Sequence, residues 1–212
     1  MFSTEPCPIT IRLAHFGHSY KETEKAAIMS IAQQGMEALN KLRSELNSDA
    51  LLSIGDTPTC SVVDDFTAVD EIRPGNFVFY DVMQQHIGSC LSNQIAVILA
   101  APVVAIHADR KELVVHGGAV HLSKDQTTDS SGQVIYGNVV KIEGRTWSAP
   151  LEGWIVKSLS QEHGIISFPK GNRDSVKVGD VLGIVPVHSC VAADLMREYY
   201  TLRGEKISTM NS

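Results

Sequence analysis

The chain has no C-x-x-C pair among its four cysteines (Cys7, Cys60, Cys90 and Cys190), no long apolar run and no cluster of Lys and Arg. Each absence narrows the function. The longest apolar run, residues 95–106, covers 12 positions and contains Pro102. A membrane-spanning helix needs roughly 20 such residues, so no membrane partner is expected. The opening residues, MFSTEPCPIT, lack the basic stretch and following apolar stretch of a secretory signal. With no export signal and no paired spacing, the cysteines read as reduced thiols in a cytoplasmic protein. Eighteen basic against 24 acidic residues leave a formal charge of −6. That argues against nucleic acid or an anionic lipid surface as the main partner. There is no internal repeat and no low-complexity segment.

What is present is an ordinary globular composition, 43% hydrophobic and 20% charged over 212 residues, enough for one domain or two small ones. Residues 9–14 read as a strand ending in a polar stretch. Residues 21–46 read as a helix, because Ile28, Ile31, Ala32, Leu39, Leu42 and Leu46 recur at spacings of three and four. Ser19 and Glu22 are placed as a capping box at its start, and residues 47–49 as its stop. Residues 50–54 and 77–80 read as further strands. Strand, helix, strand, loop, strand predicts a parallel α/β arrangement, whose ligands sit in the loops after the strands. From about residue 90 the texture changes. Short β-rich segments at 95–106, 112–116, 134–142, 154–159, 164–168 and 181–187 are separated by turns, among them 170–174 and 178–180. This predicts an all-β sandwich or barrel. A short helix at 192–200 and a polar tail at 201–212 follow. The expected division is residues 1–85 and 86–212.

Five motifs carry candidate chemistry. His188-Ser189-Cys190 follows the apolar segment 181–187. Residues two apart on a strand share a face, and imidazole with thiolate favours zinc over magnesium or calcium. Two ligands do not close a structural site but suit an open one completed by water or substrate. The bland alternative is a satisfied histidine beside a small buried thiol. Ser53-Ile54-Gly55-Asp56-Thr57-Pro58 places a glycine and a hydroxyl after a strand, where backbone N–H groups can meet an anion; an ordinary turn has the same composition. Arg73-Pro74-Gly75-Asn76 offers backbone donors and a fixed cation, or a plain Pro-Gly turn. His15-Phe16-Gly17-His18-Ser19-Tyr20 puts two histidines and a tyrosine at a strand end. Gln161-Glu162-His163-Gly164 holds an acid–base pair in what can equally be a solvated turn. The histidines at 86, 107, 116 and 121 show no ligand spacing.

In this order, AHFGHSY at 14–20, SIGDTPTC at 53–60, EIRPGNFVFYD at 71–81, GGAVHLSKD at 117–125, SQEHGIISFP at 160–169 and VGDVLGIVPVHSC at 178–190 resemble the D-threonine aldolase and D-serine dehydratase family. Those are pyridoxal-phosphate enzymes of alanine-racemase-like architecture, a TIM-type barrel followed by a β-rich domain. The resemblance implies that residues 1–85 are the last strands of the barrel and 86–212 the β domain. It implies His188 and Cys190 as a metal pair for zinc, and Gly55, Asp56 and Thr57 as a loop near the cofactor phosphate. Gly75 and Asn76 match backbone donors to that phosphate, Tyr20 or Arg73 a partner of the pyridine nitrogen, and His15 a supporter of the site. The implied reaction is β-elimination from a hydroxy D-amino acid or retro-aldol cleavage of its Cα–Cβ bond, with Cys190 closer to the dehydratase branch. The implied partners are a small D-amino-acid substrate and, in the intact enzyme, a second copy of the chain.

One departure matters. The family's Schiff-base lysine belongs to a basic motif on the first barrel strand, and no lysine here falls in such a motif. About three strands precede residue 82, whereas a closed barrel needs eight. The chain is therefore expected to be the C-terminal part of such an enzyme, with no catalytic lysine and little lyase activity by itself. The alternatives are a non-catalytic β-domain protein that serves binding or dimerisation, and an amino-acid racemase.

Overall fold

The computed structural model of this chain describes residues 10–46, 49–170 and 176–208. Cys7, residue 9 of the first expected strand, residues 47–48 of the expected helix stop, most of the 170–174 turn and the end of the tail lie outside them. Contacts divide the chain into two compact units, Met1–Val78 with Gln84–Cys90, and Phe79–Met83 with Leu91–Ser212.

The first unit contains β1 (Ile11–His15), a 3-10 turn (Gly17–Lys21), α1 (Lys25–Glu45), β2 (Leu51–Gly55), α2 (Thr57–Val62) and β3 (Glu71–Arg73). The strands form a parallel sheet in the order β1-β2-β3, with Ala14 beside Ile54 and Ile54 beside Ile72. Phe16, Leu39, Leu52 and Ile54 make its buried core. Gly35 lies in the middle of α1 because a Cβ there would come within 2.2 Å of the Phe16 ring. Two expectations fail here. The capping box does not form: α1 starts after Glu24 with no side-chain cap, and Ser19 turns inward to bond Asp56. Residues 77–80 are not a strand but a turn, with Tyr80 at a positive φ of 51°. The third strand is instead Glu71–Arg73, at three residues too short to show an alternation.

The chain passes through α3 (Val82–Ile87). The second unit then carries β4 (Leu99–His107), β5 (Glu112–His116), α4 (Ala119–Leu122), a small hairpin of β6 (Thr127–Thr128) and β7 (Val134–Ile135), β8 (Gly137–Glu143), β9 (Thr146–Trp147), β10 (Ile155–Leu159), β11 (His163–Ser167) and β12 (Val181–Pro186). After these come α5 (Ser189–Met196) and the β13 (Tyr199–Tyr200) and β14 (Lys206–Ile207) hairpin. The antiparallel order β10-β11-β5-β4-β12-β8 closes on itself where Ile155 pairs with Asn138. Sandwich or barrel is thus resolved as a six-stranded barrel, with β9 as an extension of β8. Alternate residues point inward, and Val103, Val115, Val139, Val156, Ile166 and Ile184 fill the interior. Each such burial contributes about 1.5–3 kcal/mol. The expected helix at 192–200 starts at Ser189 instead.

Candidate cofactor loops and metal pair

In the first unit, three of the motifs converge beyond the carboxyl ends of β1 and β2. Asp56 follows Gly55 with a positive φ of 99°, a backbone region that non-glycine residues seldom adopt. Its carboxylate caps α2, accepting the Thr59 N–H at 2.7 Å and the Ser19 hydroxyl at 2.9 Å. Asp56 is only 2% exposed, and its second oxygen is buried without a hydrogen bond. Its side chain is therefore an internal brace that holds the SIGDTP loop to the HFGHSY turn. The Thr57 N–H donates to the Tyr20 hydroxyl at 3.3 Å, and the Thr57 hydroxyl accepts the Asn76 N–H at 2.9 Å. The Tyr20 ring lies 6.1 Å from that of His15.

Arg73 straps the sheet. Its guanidinium donates to the Ser53 hydroxyl at 2.6 Å and to the Ala14 carbonyl at 3.2 Å. Ser53 in turn bonds Glu71. Gly55 leaves room for this crossing, since a Cβ there would meet the guanidinium at 3.2 Å. Next to it, burial and the Asp56 charge push the Cys60 thiol up to about 11, which keeps it protonated and unreactive. Tyr20, Gly55, Asp56, Thr57, Arg73, Gly75 and Asn76 thus belong to one loop cluster, with Asn76 and Thr57 N–H groups already engaged. A Cβ on Gly75 would meet nothing within 4 Å. Gly75 is exposed, so its backbone is open to an anionic group such as a cofactor phosphate, whereas the Thr57 side chain is wholly buried.

In the second unit, His188 and Cys190 sit at a strand-to-helix junction. The period-two argument for a shared face does not hold, because β12 stops at Pro186. His188 is the extended residue before α5 (φ −128°, ψ 108°), and Cys190 is the second residue of the helix. Against the pair lies Asp81, whose side chain is wholly buried. It accepts the Ser189 N–H at 2.9 Å and faces His188 Nδ1 at 3.4 Å. That distance is at the long edge of hydrogen bonding, and Asp81 acts on Nδ1 first as a hydrogen-bond acceptor and then through its charge. The carboxylate raises the His188 pKa against the opposing effect of burial, and Asp125 adds to the rise. Burial, then the Asp81 charge, raises the Cys190 thiol. Among the described residues no group of three or more His, Cys, Asp and Glu is arranged to hold a metal ion. The donor set, an imidazole with one nitrogen turned to a carboxylate and a thiol two residues on, fits an open zinc site that takes its remaining ligands from substrate or water.

Asp81 and Asp125 were invisible as site residues in the sequence, although both lie in motifs that carry the resemblance. The structure also gathers histidines that the spacing kept apart. His116 lies 5.0 Å from His121 and 5.7 Å from His163, ring centre to ring centre. The cause is backbone docking of the 117–120 segment on the E-H-G turn, with Gly117 N–H on the Glu162 carbonyl at 3.0 Å and Val120 N–H on that of Gln161 at 3.0 Å.

Residues 96–202 match the family described as "Putative serine dehydratase domain". D-threo-3-hydroxyaspartate dehydratase of Delftia sp. is 28% identical over 91% of this chain and 52% of its own length. D-serine dehydratase of Dictyostelium discoideum is 31% identical over 91% of this chain and 50% of its own length. An alanine-racemase-like protein of Idiomarina loihiensis superposes with a TM-score of 0.83 at 30% identity, over 93% of this chain and 54% of its own. The Delftia enzyme superposes with a TM-score of 0.80 at 25% identity, over 92% of this chain and 54% of its own. A cysteine-to-alanine mutant of that enzyme has been solved in a metal-free form. The chain spans about half the length of the curated relatives it matches. Among the described residues no helix is long and apolar enough to cross a membrane.

Proposed function

This chain belongs to the serine dehydratase domain family, and we propose from that premise that it forms the C-terminal half of a pyridoxal-phosphate- and zinc-dependent lyase. The reaction is removal of water from a β-hydroxy D-amino acid. The observation that carries this reading is the His188–Cys190 pair, with the imidazole turned on a wholly buried carboxylate. Residues 1–85 contribute barrel strands and the phosphate cradle, residues 86–212 the metal pair, and the intact enzyme is a cytoplasmic homodimer.

The open backbone at Gly75 would hold the phosphate, with Thr57 ordering the loop through Asn76, and Arg73 or Tyr20 would partner the pyridine nitrogen. Bound there, pyridoxal phosphate would supply an electron sink for the pair left at the substrate Cα. His188 Nε2 and the Cys190 thiolate would hold zinc, which would supply Lewis acidity for the departing hydroxyl. Asp56 and Ser19 keep the two loops in place, and Arg73 braces the strand ends beneath them.

Zinc content of the purified chain tests the metal half of the reading. About one zinc per chain is expected, lost in His188→Ala and in Cys190→Ala with the fold intact by circular dichroism. A folded chain that takes up no zinc overturns it. Ammonia and keto-acid release from D-serine and D-threo-3-hydroxyaspartate tests the other half. With pyridoxal phosphate and zinc added, this chain alone is expected to release neither, because it carries no lysine in the family's cofactor motif. Turnover by the chain alone removes the half-enzyme reading, and glycine with an aldehyde as products replaces the dehydratase with an aldolase.

A further inference from the structure

Asp81 is separated from Ser189 by 108 positions, yet the two touch. Three features converge on this carboxylate. Its side chain has no solvent exposure, and a buried carboxylate is costly unless it is paired. The segment that carries it is stitched to the end of β12, with the Met83 N–H on the Val187 carbonyl at 3.2 Å. The residue before it, Tyr80, is held at φ 51°, a left-handed conformation that costs on the order of 1 kcal/mol for a non-glycine residue. Simple capping of α5 does not account for this. A helix start is satisfied by a neutral Ser, Thr or Asn beside it in sequence, without a strained backbone and a buried charge brought from elsewhere. What a neutral cap does not supply is a negative charge against His188 Nδ1, 3.4 Å away.

We propose that Asp81 is the positioning residue of the His188–Cys190 pair. Its carboxylate keeps the proton of the neutral imidazole on Nδ1, which leaves the Nε2 lone pair for a metal. Its bond to the Ser189 N–H sets the first turn of α5, and with it Cys190. The inference rests on the reading of His188 and Cys190 as metal ligands. It adds the reason why that histidine presents one particular nitrogen.

The test is Asp81→Asn in the full chain. The amide keeps the shape and an acceptor for the Ser189 N–H, but it offers Nδ1 a donor in place of a charge. Two quantities are measured: the zinc dissociation constant by chelator competition, and the His188 tautomer by nitrogen NMR of the zinc-free chain at a pH where the ring is neutral. The wild type is expected to show the Nδ1–H tautomer. The variant is expected to show Nε2–H and to bind zinc about 10–100-fold more weakly, the usual effect of losing such a partner. Unchanged tautomer and unchanged affinity in Asp81→Asn overturn the proposal. If the variant does not fold, the wild-type spectrum decides, since an Nε2–H ring there overturns it and an Nδ1–H ring supports it. A wild type that binds no zinc but shows an Asp81-dependent Nδ1–H ring supports the positioning role while removing the metal reading.

Discussion

Asp56 and Gly75 show how differently neighbouring loop residues work. Both stand in motifs that point to a phosphate, but Asp56 is turned inward as a cap and Gly75 borders open space. A methyl group at Gly75 meets no protein atom, and its φ is not in the left-handed range. Gly75→Ala is therefore expected to leave stability within about 0.5 kcal/mol. It is also expected to weaken phosphate or pyridoxal-phosphate binding on the order of tenfold, because the methyl obstructs the anion's approach to the backbone N–H and lengthens a charge-assisted bond. Urea unfolding and a fluorescence titration check the two halves, and unchanged affinity removes Gly75 from the cradle. His121 makes a second case. Burial, then the His116 charge, holds its pKa below the ordinary histidine value, with His163 adding to the drop and Glu162 opposing it. The unfolded chain therefore takes up this proton at a higher pH than the folded one. Stability is complete above the unfolded value and falls as the pH drops toward the lowered folded value. His121→Asn is expected to flatten the melting-temperature curve between about pH 7 and 5; equal slopes in both proteins count against this origin.

At the scale of elements, the strands with a clean period of two were readable. Glu112–His116 and Ile155–Leu159 lie within a residue of where alternation puts them. Starts of helices were not. Ser19 and Glu22 have capping-box spacing, but the Ser19 hydroxyl is drawn away by Asp56, 37 residues on. Helix α5 starts earlier than its own pattern suggests because Asp81 binds its first N–H. Close backbone approach explains Gly118 in the same way. A Cβ there would lie 2.4 Å from the His163 nitrogen and 2.5 Å from the Glu162 carbonyl carbon. Backbone on a β-turn cannot move aside as a side chain can. Gly118→Ala is expected to cost about 3 kcal/mol, the upper part of the overpacking range, and to disperse the histidine cluster. A denaturant midpoint equal to that of the wild type would show that the turn yields.

At the scale of the molecule, the two units differ in closure. The second has a barrel whose six strands each have two neighbours. The first has three parallel strands, with Ile11 and Leu13 on β1 exposed at 43% and 64%. Exposed backbone bonds open more readily than those in a closed core. Amides of β1 and β3 are therefore expected to exchange with solvent faster than those of β5 and β12. Mass-spectrometric exchange with peptide resolution checks this, and equal protection would show the small sheet to be as closed as the barrel.

The sequence by itself determined the fold class, the change of texture near residue 90 and the motifs, because periodicity and turn chemistry act over a few residues and are written locally. It also held the family, because motif order survives where single motifs are weak. Only the tertiary structure decided that the β part closes into a barrel, since that closure rests on the pairing of Ile155 with Asn138. It alone decided that Asp56 is a brace and that Asp81 stands behind His188. Those roles depend on which groups meet after burial. A buried carboxylate takes its function from the donors that surround it, and these come from distant parts of the chain.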